Sequence, residues 1–349
     1  MREKLRVAIV GCGGVFKEHF NAYKRIDNTT VVAVCDINEE VAKRTARKIG
    51  VSYYTDVSEM FEAESLDIVS ICTPPQTHAD IASKAILNGI NTVVEKPMTA
   101  TLEEAYAILN SLKRNPVKFM VIHNWLFSPT YLKARSLIKN GKIGNIIGVD
   151  IDLIESRNDP WLRDKHHWVH SLPAGRFSEI LPHPIYLLQD LLGKLIVDYV
   201  SVQKLDTYPW VPFDDLRIIL HSQENIPAEI HITFNSPSRM TFVNVYGSKG
   251  ILKLTLINQI LVFLKGLDKS KTWRGLENIN WSFQIFSSTV AGAIRNLFHA
   301  TKSQHQVCLE LFVDSILNDT DPPVTAKDGL ETIKVLKQIE DHIRTYANR

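Results

Sequence analysis

Short apolar runs alternate with amphipathic segments along the first third of the chain. The runs have no polar face, which is typical of strands buried on both sides of a parallel sheet. They lie at residues 5–11, 30–36, 66–73, 90–96 and 118–124. Apolar positions at helical spacing lie between them, at residues 39–50, 77–89 and 102–115. Strands and helices in alternation predict right-handed βαβ crossovers and therefore a doubly wound parallel sheet.

The pattern changes after residue 124. A helix is predicted at 129–141, where Gly141 ends it, and further helices are predicted near 283–300 and at 327–347. The other segments are short and separated by turns, which predicts a mostly antiparallel open sheet. These strands are 145–155, 196–206, 214–222, 226–235, 239–246 and 250–264. We therefore predict an α/β domain at 1–124 and an α+β domain at 125–349, whose last helix can pack back on the first domain.

Composition excludes several classes of protein without naming a function. The chain has 349 residues, of which 45% are hydrophobic and 22% charged, enough apolar material for about two globular domains. A formal net charge of +2 gives no bulk attraction to nucleic acid or to an anionic membrane. The four cysteines include no C-x-x-C pair, and we find neither a signal peptide nor a membrane-spanning stretch. These features lead us to expect a reducing, cytoplasmic location.

A glycine-rich loop follows the first predicted strand. It reads Gly11-Cys12-Gly13-Gly14-Val15-Phe16, which places glycine at the first two positions of the dinucleotide-binding fingerprint and Phe16 at the third. Asp36 ends the second strand, 25 residues after Gly11, where a carboxylate can bind a ribose diol. Since its charge would repel a 2′-phosphate, we predict NAD rather than NADP. The alternative interpretation is an ordinary turn followed by an ordinary strand-end carboxylate.

Two further motifs make this pattern more specific. Thr73-Pro74-Pro75-Gln76-Thr77-His78 follows the third strand, and Glu95-Lys96-Pro97 follows the next. With the glycine loop, they resemble the glucose–fructose oxidoreductase/inositol dehydrogenase/MocA (Gfo/Idh/MocA) family of nicotinamide-dependent enzymes. The resemblance covers nearly the whole chain. It continues through residues 123–129, where Leu126 replaces a common Arg, the turn at 247–250 and the segment 322–331.

The resemblance implies an N-terminal dinucleotide-binding Rossmann domain and a C-terminal domain for substrate binding and oligomerisation. Substrate would lie between the nicotinamide and the open sheet. Besides the glycine loop and Asp36, the cofactor-binding residues would be Thr73, Pro74, His78, Glu95, Lys96 and Asn124. The ammonium of Lys96 can orient a substrate hydroxyl and stabilise an alkoxide. The alternative for Lys96 is a solvated charge at a strand end.

A second motif of the family pairs a carboxylate with a histidine four residues later. Here Glu179 replaces the commoner Asp, and His183 takes the position of the family's histidine. The resemblance thus implies Glu179 and His183 as catalytic residues, with Lys96 and His183 as the acid/base pair. An imidazole that titrates near neutrality can accept the proton of an alcohol. A structural histidine is the alternative.

The segment between the first strand of the second domain and Glu179 is rich in aromatic and basic residues. Trp161 and Trp168 can stack on a sugar ring, and several basic side chains can pair with a carboxylate or a diphosphate. The basic residues are Arg157, Arg163, Lys165 and Arg176. Together with Lys96 and His183, we predict Trp161, Arg163, Trp168 and Arg176 as substrate-binding residues. A solvated loop is the alternative.

We predict no metal site. His166 and His170 have the i, i+4 spacing of a helical metal pair, but no third ligand is evident. Aromatic residues are also frequent between 273 and 298, and they are Trp273, Trp281, Phe283, Phe286 and Phe298. We expect them to pack in the core, with a subunit contact as the alternative.

These features favour an NAD-dependent dehydrogenase or reductase for a secondary alcohol of a sugar, polyol or sugar nucleotide. By resemblance, the protein is expected to be a homo-oligomer, a dimer or a tetramer, with no nucleic-acid or membrane partner. Two alternatives remain open, an NAD-using glycosidase of the same fold and a non-catalytic regulator that senses nucleotides. Release of NADH would distinguish the dehydrogenase from the glycosidase.

Overall fold

The computed structural model describes residues 4–206, 208–265, 271–297 and 302–347. It divides into two units, the first formed by residues 1–124 with 302–334 and the second by 125–301 with 335–349. Within the described residues, we find no helix long and apolar enough to cross a membrane.

The strands and helices are numbered in chain order. The strands are β1 (Leu5–Val10), β2 (Thr29–Cys35), β3 (Ser52–Tyr54), β4 (Ile68–Ile71), β5 (Asn91–Val94), β6 (Phe119–Val121), β7 (Ile146–Ser156), β8 (Leu195–Gln203), β9 (Asp215–Ser222), β10 (Pro227–Ser236), β11 (Met240–Gly247), β12 (Gly250–Thr255) and β13 (Ile260–Lys265). The helices are α1 (Phe16–Arg25), α2 (Glu39–Ile49), α3 (Val57–Ala63), α4 (His78–Leu87), α5 (Leu102–Arg114), α6 (Pro129–Lys139), α7 (Pro160–Arg163), α8 (Arg176–Ile180), α9 (Pro182–Leu192), α10 (Lys271–Leu297), α11 (Gln304–Leu317) and α12 (Ala326–Ala347).

The first unit is built on a parallel sheet with the strand order β3-β2-β1-β4-β5-β6. This is the order of a Rossmann fold, in which strand order reverses between β1 and β4 and leaves a crevice at the carboxyl ends of the strands. The five apolar runs predicted as strands correspond to β1, β2, β4, β5 and β6, so the doubly wound fold is confirmed. The short edge strand β3 was missed because three residues are too few to show a period.

Capping residues set the ends of several helices in this unit. Gly50 ends α2 in a left-handed conformation with φ of 78°. Thr101 and Glu104 form a reciprocal capping box at the start of α5. Helix α11 was not predicted, and it packs against α1. A Cβ on Gly329 in α12 would lie 2.6 Å from Met98 Sδ, so glycine permits close packing behind the Glu95-Lys96-Pro97 segment.

The second unit contains a seven-stranded sheet with the order β13-β12-β11-β7-β10-β9-β8. Only the described pair β7–β10 is parallel, which confirms the mostly antiparallel sheet. The predicted strand 250–264 is wrong as a single element, because a turn between β12 and β13 divides it and Gln259 there has φ of 54°. Helices α8 and α9 were also missed. Two prolines, Pro182 and Pro184, obscure α9 in the sequence, yet both lie in its first turn, where proline is tolerated.

Candidate functional site

The glycine loop joins β1 to α1 at the carboxyl end of the parallel sheet. Gly11 has φ of +93°, and a Cβ there would lie 2.8 Å from the backbone of Cys72, so both the conformation and the close approach require glycine. A Cβ on Gly13 or Gly14 would meet nothing within 4 Å. The backbone of the loop is therefore closely packed at Gly11 and has free space beside it at Gly13 and Gly14. A backbone that binds a pyrophosphate needs such space.

The third fingerprint position holds a large residue, Phe16, where a small one is usual. Phe16 begins α1 and stacks on Phe20 one turn later, with ring centroids 6.0 Å apart and nearly parallel planes. The ring is half-buried along the helix surface. Phe16 thus packs against its own helix and leaves the loop geometry intact.

Asp36 binds the glycine loop directly. Its Oδ2 accepts the backbone N–H of Cys12 at 2.8 Å, and its Oδ1 accepts that of Asn38 at 2.9 Å. Burial and this nearby carboxylate raise the pKa of the Cys12 thiol to about 11, so the thiol is neutral at pH 7. The half-buried carboxylate of Asp36 is therefore held at the edge of the loop.

His78 connects the two motifs that follow β4 and β5. Its Nε2 lies 2.7 Å from the carbonyl oxygen of Thr73, and its Nδ1 lies 3.0 Å from that of Pro97. The ring is fully buried, and burial lowers its pKa although the two carbonyls act in the opposite direction. The described contacts of His78 are those of a structural tie between the loops. Thr73 also receives a hydrogen bond from Thr77 at 2.7 Å between hydroxyl oxygens.

Glu95 is the centre of a buried network in the first unit. Its Oε1 accepts hydrogen bonds from Nε2 of His19 at 2.8 Å and from Nε2 of His305 at 3.2 Å, and its Oε2 accepts the backbone N–H of Lys96 at 3.2 Å. Burial alone would raise the pKa of Glu95, but the hydrogen bonds from both histidines outweigh it and hold the pKa well below its usual range. Burial lowers the pKa of His19, whose Nδ1 bonds to Ser70 at 2.8 Å. The network therefore anchors the backbone at Lys96.

The side chains of His19, Glu95 and His305 also form a candidate metal site. Their ligand atoms all lie within 4.8 Å of one another, and a His₂Glu donor set suits zinc. The hydrogen bonds from the two histidines already satisfy Glu95 Oε1, so the observed geometry does not require a metal. Neither His166 nor His170 belongs to this cluster.

Lys96 and Asn124 complete the predicted cofactor residues of the first unit. Both side chains are half-buried, and both make interactions within the protein. His123, directly before Asn124, is buried, and burial lowers its pKa to about 3. His123 is thus neutral at physiological pH.

In the second unit, His183 lies in the first turn of α9. Its ring stacks on Trp125, with centroids 4.1 Å apart and planes inclined by 12°. Its Nδ1 lies 2.7 Å from Oη of Tyr186, one turn later, and this oxygen also accepts the backbone N–H of Trp125 at 3.0 Å. Two neighbours therefore fix the orientation of the imidazole. Tyr186 was not predicted as a partner of His183, although the i, i+3 spacing on one helix is a readable signal.

Glu179 and Arg176 form a buried ion pair in α8. Arg176 donates to Glu179 through one guanidinium nitrogen, and another lies 3.3 Å from Asp159 Oδ2. The guanidinium also lies over the ring of Trp161, 4.9 Å from its centroid. Burial would lower the pKa of Arg176, but Glu179 and Asp159 raise it, so it stays charged. These contacts favour a structural role for Arg176, and its binding to substrate stays a prediction.

The predicted substrate loop brings its aromatic residues together. Trp161 stacks on His167 at 5.0 Å between centroids, and Trp168 lies 6.0 Å from Trp161. Arg163 is exposed at the end of α7. The structure thus groups Trp161 and Trp168 on one loop of the second unit, next to the ion pair of Arg176.

Comparison with known proteins defines the class to which this fold and site belong. The family described as "Oxidoreductase family, NAD-binding Rossmann fold" matches residues 5–123, and its companion "Oxidoreductase family, C-terminal alpha/beta domain" matches residues 135–341. These two domains define the Gfo/Idh/MocA oxidoreductases. The chain belongs to this family, and its first domain is an NAD-binding Rossmann domain.

Individual relatives agree with this assignment. The chain is 32% identical over 202 residues to Oxidoreductase P35 of Formosa agariphila, covering 56% of this chain and 63% of that protein. It is 34% identical over 149 residues to scyllo-inositol 2-dehydrogenase (NAD(+)) of Bacillus subtilis, covering 42% and 44% of the two chains. Each alignment spans less than two thirds of the relative's length.

A solved structure matches nearly the whole chain. The WlbA dehydrogenase from Bordetella pertussis, crystallised with NADH and UDP-GlcNAcA, superposes with a TM-score of 0.81. The match covers 99% of this chain and 97% of that chain at 19% sequence identity. At this identity the likeness concerns the fold.

Proposed function

We propose that the protein is an NAD-dependent dehydrogenase or reductase that acts on a secondary alcohol of a sugar, polyol or sugar nucleotide. The observation that carries the proposal is the glycine loop with Asp36 bonded to it. The loop offers open backbone at Gly13 and Gly14 beside a fixed carboxylate. Family membership supports the reaction class, and the names of the relatives support the class of substrate.

The residues present fit a dinucleotide. Backbone N–H groups of the glycine loop and of the first turn of α1 would hold the pyrophosphate, and Asp36 would accept hydrogen bonds from a ribose diol. Its negative charge favours NAD over NADP. When bound, the nicotinamide supplies the hydride acceptor for alcohol oxidation.

Lys96 and His183 are proposed as the acid/base pair. Lys96 follows the backbone that Glu95 anchors, so its position is set by a buried network rather than by a mobile loop. Its ammonium would stabilise the negative charge that develops on the substrate oxygen. His183 would accept the hydroxyl proton at Nε2 if its Nδ1 carries a proton and donates it to Tyr186, whose oxygen lies within hydrogen-bond distance.

Glu179 is proposed to act through Arg176 and not directly on the proton. Its contact with a buried, charged guanidinium fixes the start of the segment that leads into α9 and His183. The loop with Trp161, Arg163 and Trp168 is proposed to bind the substrate, because aromatic faces and an exposed cation suit a sugar ring with an anionic group.

Kinetics of two variants test the assignment. Purified Lys96→Ala and His183→Ala proteins are each expected to lose at least about a hundredfold in kcat at saturating NAD, the usual contribution of one acid/base group. NAD affinity should stay near normal in His183→Ala and weaken in Lys96→Ala, because Lys96 is also a predicted cofactor residue. Lys113→Ala serves as the control, because Lys113 is an exposed basic residue in the last turn of α5 and has no part in the proposed site. Wild-type turnover in both test variants would refute the acid/base pair.

A further inference from the structure

Helix α10 lies against the edge strand β13 with its polar side. Gln284 pairs with the edge as a neighbouring strand would, since its Oε1 accepts the N–H of Phe263 at 2.9 Å and its Nε2 donates to the carbonyl of Phe263 at 3.1 Å. Trp281, one turn earlier, lies under the ammonium of Lys253, 5.9 Å from the ring centroid. The amide of Gln284 and the indole of Trp281 therefore cover the sheet edge, and the apolar side of α10 does not.

The apolar side of α10 points the other way. Six apolar side chains recur at intervals of three or four residues and form one exposed stripe, Leu276, Ile279, Phe283, Phe286, Val290 and Ile294. Both phenylalanines are 66% exposed. The expectation that Phe283 and Phe286 pack in the core is therefore wrong. Trp273 also carried that expectation, but its side chain lies outside the described residues, as does Phe298.

At 100° per residue, the middle of the stripe lies roughly 115° around the helix from Gln284 and roughly 175° from Trp281. An amphipathic helix normally buries its apolar face, so this orientation is inverted for an isolated chain. Burying a large apolar side chain is favourable, so leaving six of them exposed to water is costly. The stripe has the composition of a contact surface.

The order of side-chain types along the stripe is symmetric about its centre. Two aliphatic residues come first, two aromatic residues lie in the middle, and two aliphatic residues follow. In an antiparallel pair of α10 helices, Phe283 would face Phe286 of the second copy, and Leu276 would face Ile294. The surface therefore matches itself under a two-fold axis, which is what an isologous dimer contact requires.

We propose that the stripe on α10 is a homodimer contact, in which α10 of a second copy of this chain packs antiparallel against it. The six side chains expose on the order of 700 Å² of surface, close to the roughly 800 Å² that each partner contributes to a standard interface. Residues 278–294 carry no charged side chain, so no like charges face each other along the middle of the pairing.

A membrane surface is the main competing occupant, and the observations favour it less. Interfacial helices carry Lys and Arg on their polar face to attract anionic lipids. On α10 that face is applied to the sheet edge through Gln284 and Trp281. The basic residues of the helix, Lys271, Arg274 and Arg295, lie at its two ends and not along the middle of the stripe. A membrane also gives no reason for the symmetric order of side chains.

The first experiment measures molar mass by light scattering at micromolar concentration. We expect the Phe283→Ser/Phe286→Ser protein to have half the mass of the wild-type assembly. Ile285→Ser is the matched control, because Ile285 is exposed on the same helix but projects roughly 145° away from the middle of the stripe. A monomeric wild type, or a double variant that keeps the wild-type mass and fold, would overturn the proposal.

Disulfide cross-linking tests the antiparallel register. A Leu276→Cys/Ile294→Cys protein is expected to form a covalent dimer on mild oxidation, whereas Leu276→Cys alone is not, because the two copies of residue 276 would lie about 26 Å apart along the helices. Efficient cross-linking by Leu276→Cys alone would overturn this arrangement. Binding to a membrane would also overturn the proposal. It would appear as flotation of the wild type with phosphatidylglycerol vesicles, when the Phe283→Ser/Phe286→Ser protein does not float.

Discussion

Replacing Glu95 by Gln tests how the first unit positions Lys96. The substitution keeps the size of the side chain and removes its charge. Glu95 accepts two histidine N–H groups at one oxygen and a backbone N–H at the other, and it is only 7% exposed. Glutamine has one acceptor oxygen, so its NH₂ group must face either the histidines or the N–H of Lys96, and both would be donor-to-donor contacts.

The expected loss follows from these contacts. A hydrogen bond to a charged group contributes about 1.5–3 kcal/mol, and the variant loses at least one such bond and weakens the others. We therefore expect the free energy of unfolding at pH 7 to fall by about 3 kcal/mol. Because the pKa of Glu95 is lowered, its contribution is present above the ordinary carboxyl pKa of about 4.3 and is lost as the pH falls through the lowered value. The difference between variant and wild type should narrow in acid.

Urea denaturation, followed by tryptophan fluorescence, measures the effect, and NAD titration shows whether Lys96 stays in place. Glu340→Gln is the control, since Glu340 is also a buried carboxylate but bonds to Ser178 in the second unit. It should lose stability without losing NAD affinity. If Glu95→Gln unfolds at the wild-type urea concentration and keeps full activity, the anchoring role is wrong.

Three further predictions follow from single contacts. Asp36→Ala should weaken NAD binding about tenfold or more, since it removes a charged acceptor, and should narrow the preference over NADP in paired titrations. Gly329→Ala should cost about 1–3 kcal/mol of stability through overpacking, whereas Gly275→Ala, with open space around it, should not, as judged by thermal unfolding. Tyr186→Phe should lower kcat about fivefold to tenfold and alter its pH profile, since one hydrogen bond to His183 is lost.

For each of these three predictions, one result would contradict it. Unchanged NAD affinity in the Asp36 variant would mean that its carboxylate serves only the loop backbone. Equal stability of the two glycine variants would contradict the packing around Met98. An unaltered pH profile in the Tyr186 variant would exclude this residue from positioning His183.

The sequence predicted what depends on local pattern and missed what depends on distant residues. Buried strands form continuous apolar runs, and a glycine loop followed by Asp36 at a strand end is a local signal, so both were readable. The bond between His305 and Glu95 joins residues 210 positions apart and leaves no periodic trace. The contact of Arg176 with Glu179 was equally hidden, because i, i+3 spacing alone does not show that both side chains are buried.

The exposed face of α10 shows a second limit of prediction from sequence. Its apolar spacing predicted a helix near 283–300, and the structure extends it to Lys271–Leu297. The spacing could not show which face lies against β13, because that depends on a side-chain amide of Gln284 that bonds the sheet edge. An apolar stripe predicts burial, but not whether the partner is the same chain.

The most direct test of the proposed function is NADH formation by the wild-type protein against free sugars, inositols and sugar nucleotides, with NADP as the control cofactor. We predict that at least one of these alcohols is oxidised with one NADH released per product formed, and that NAD supports the reaction better than NADP. Product formation without net NADH, or no reduction of NAD with any of these compounds, would contradict the proposal.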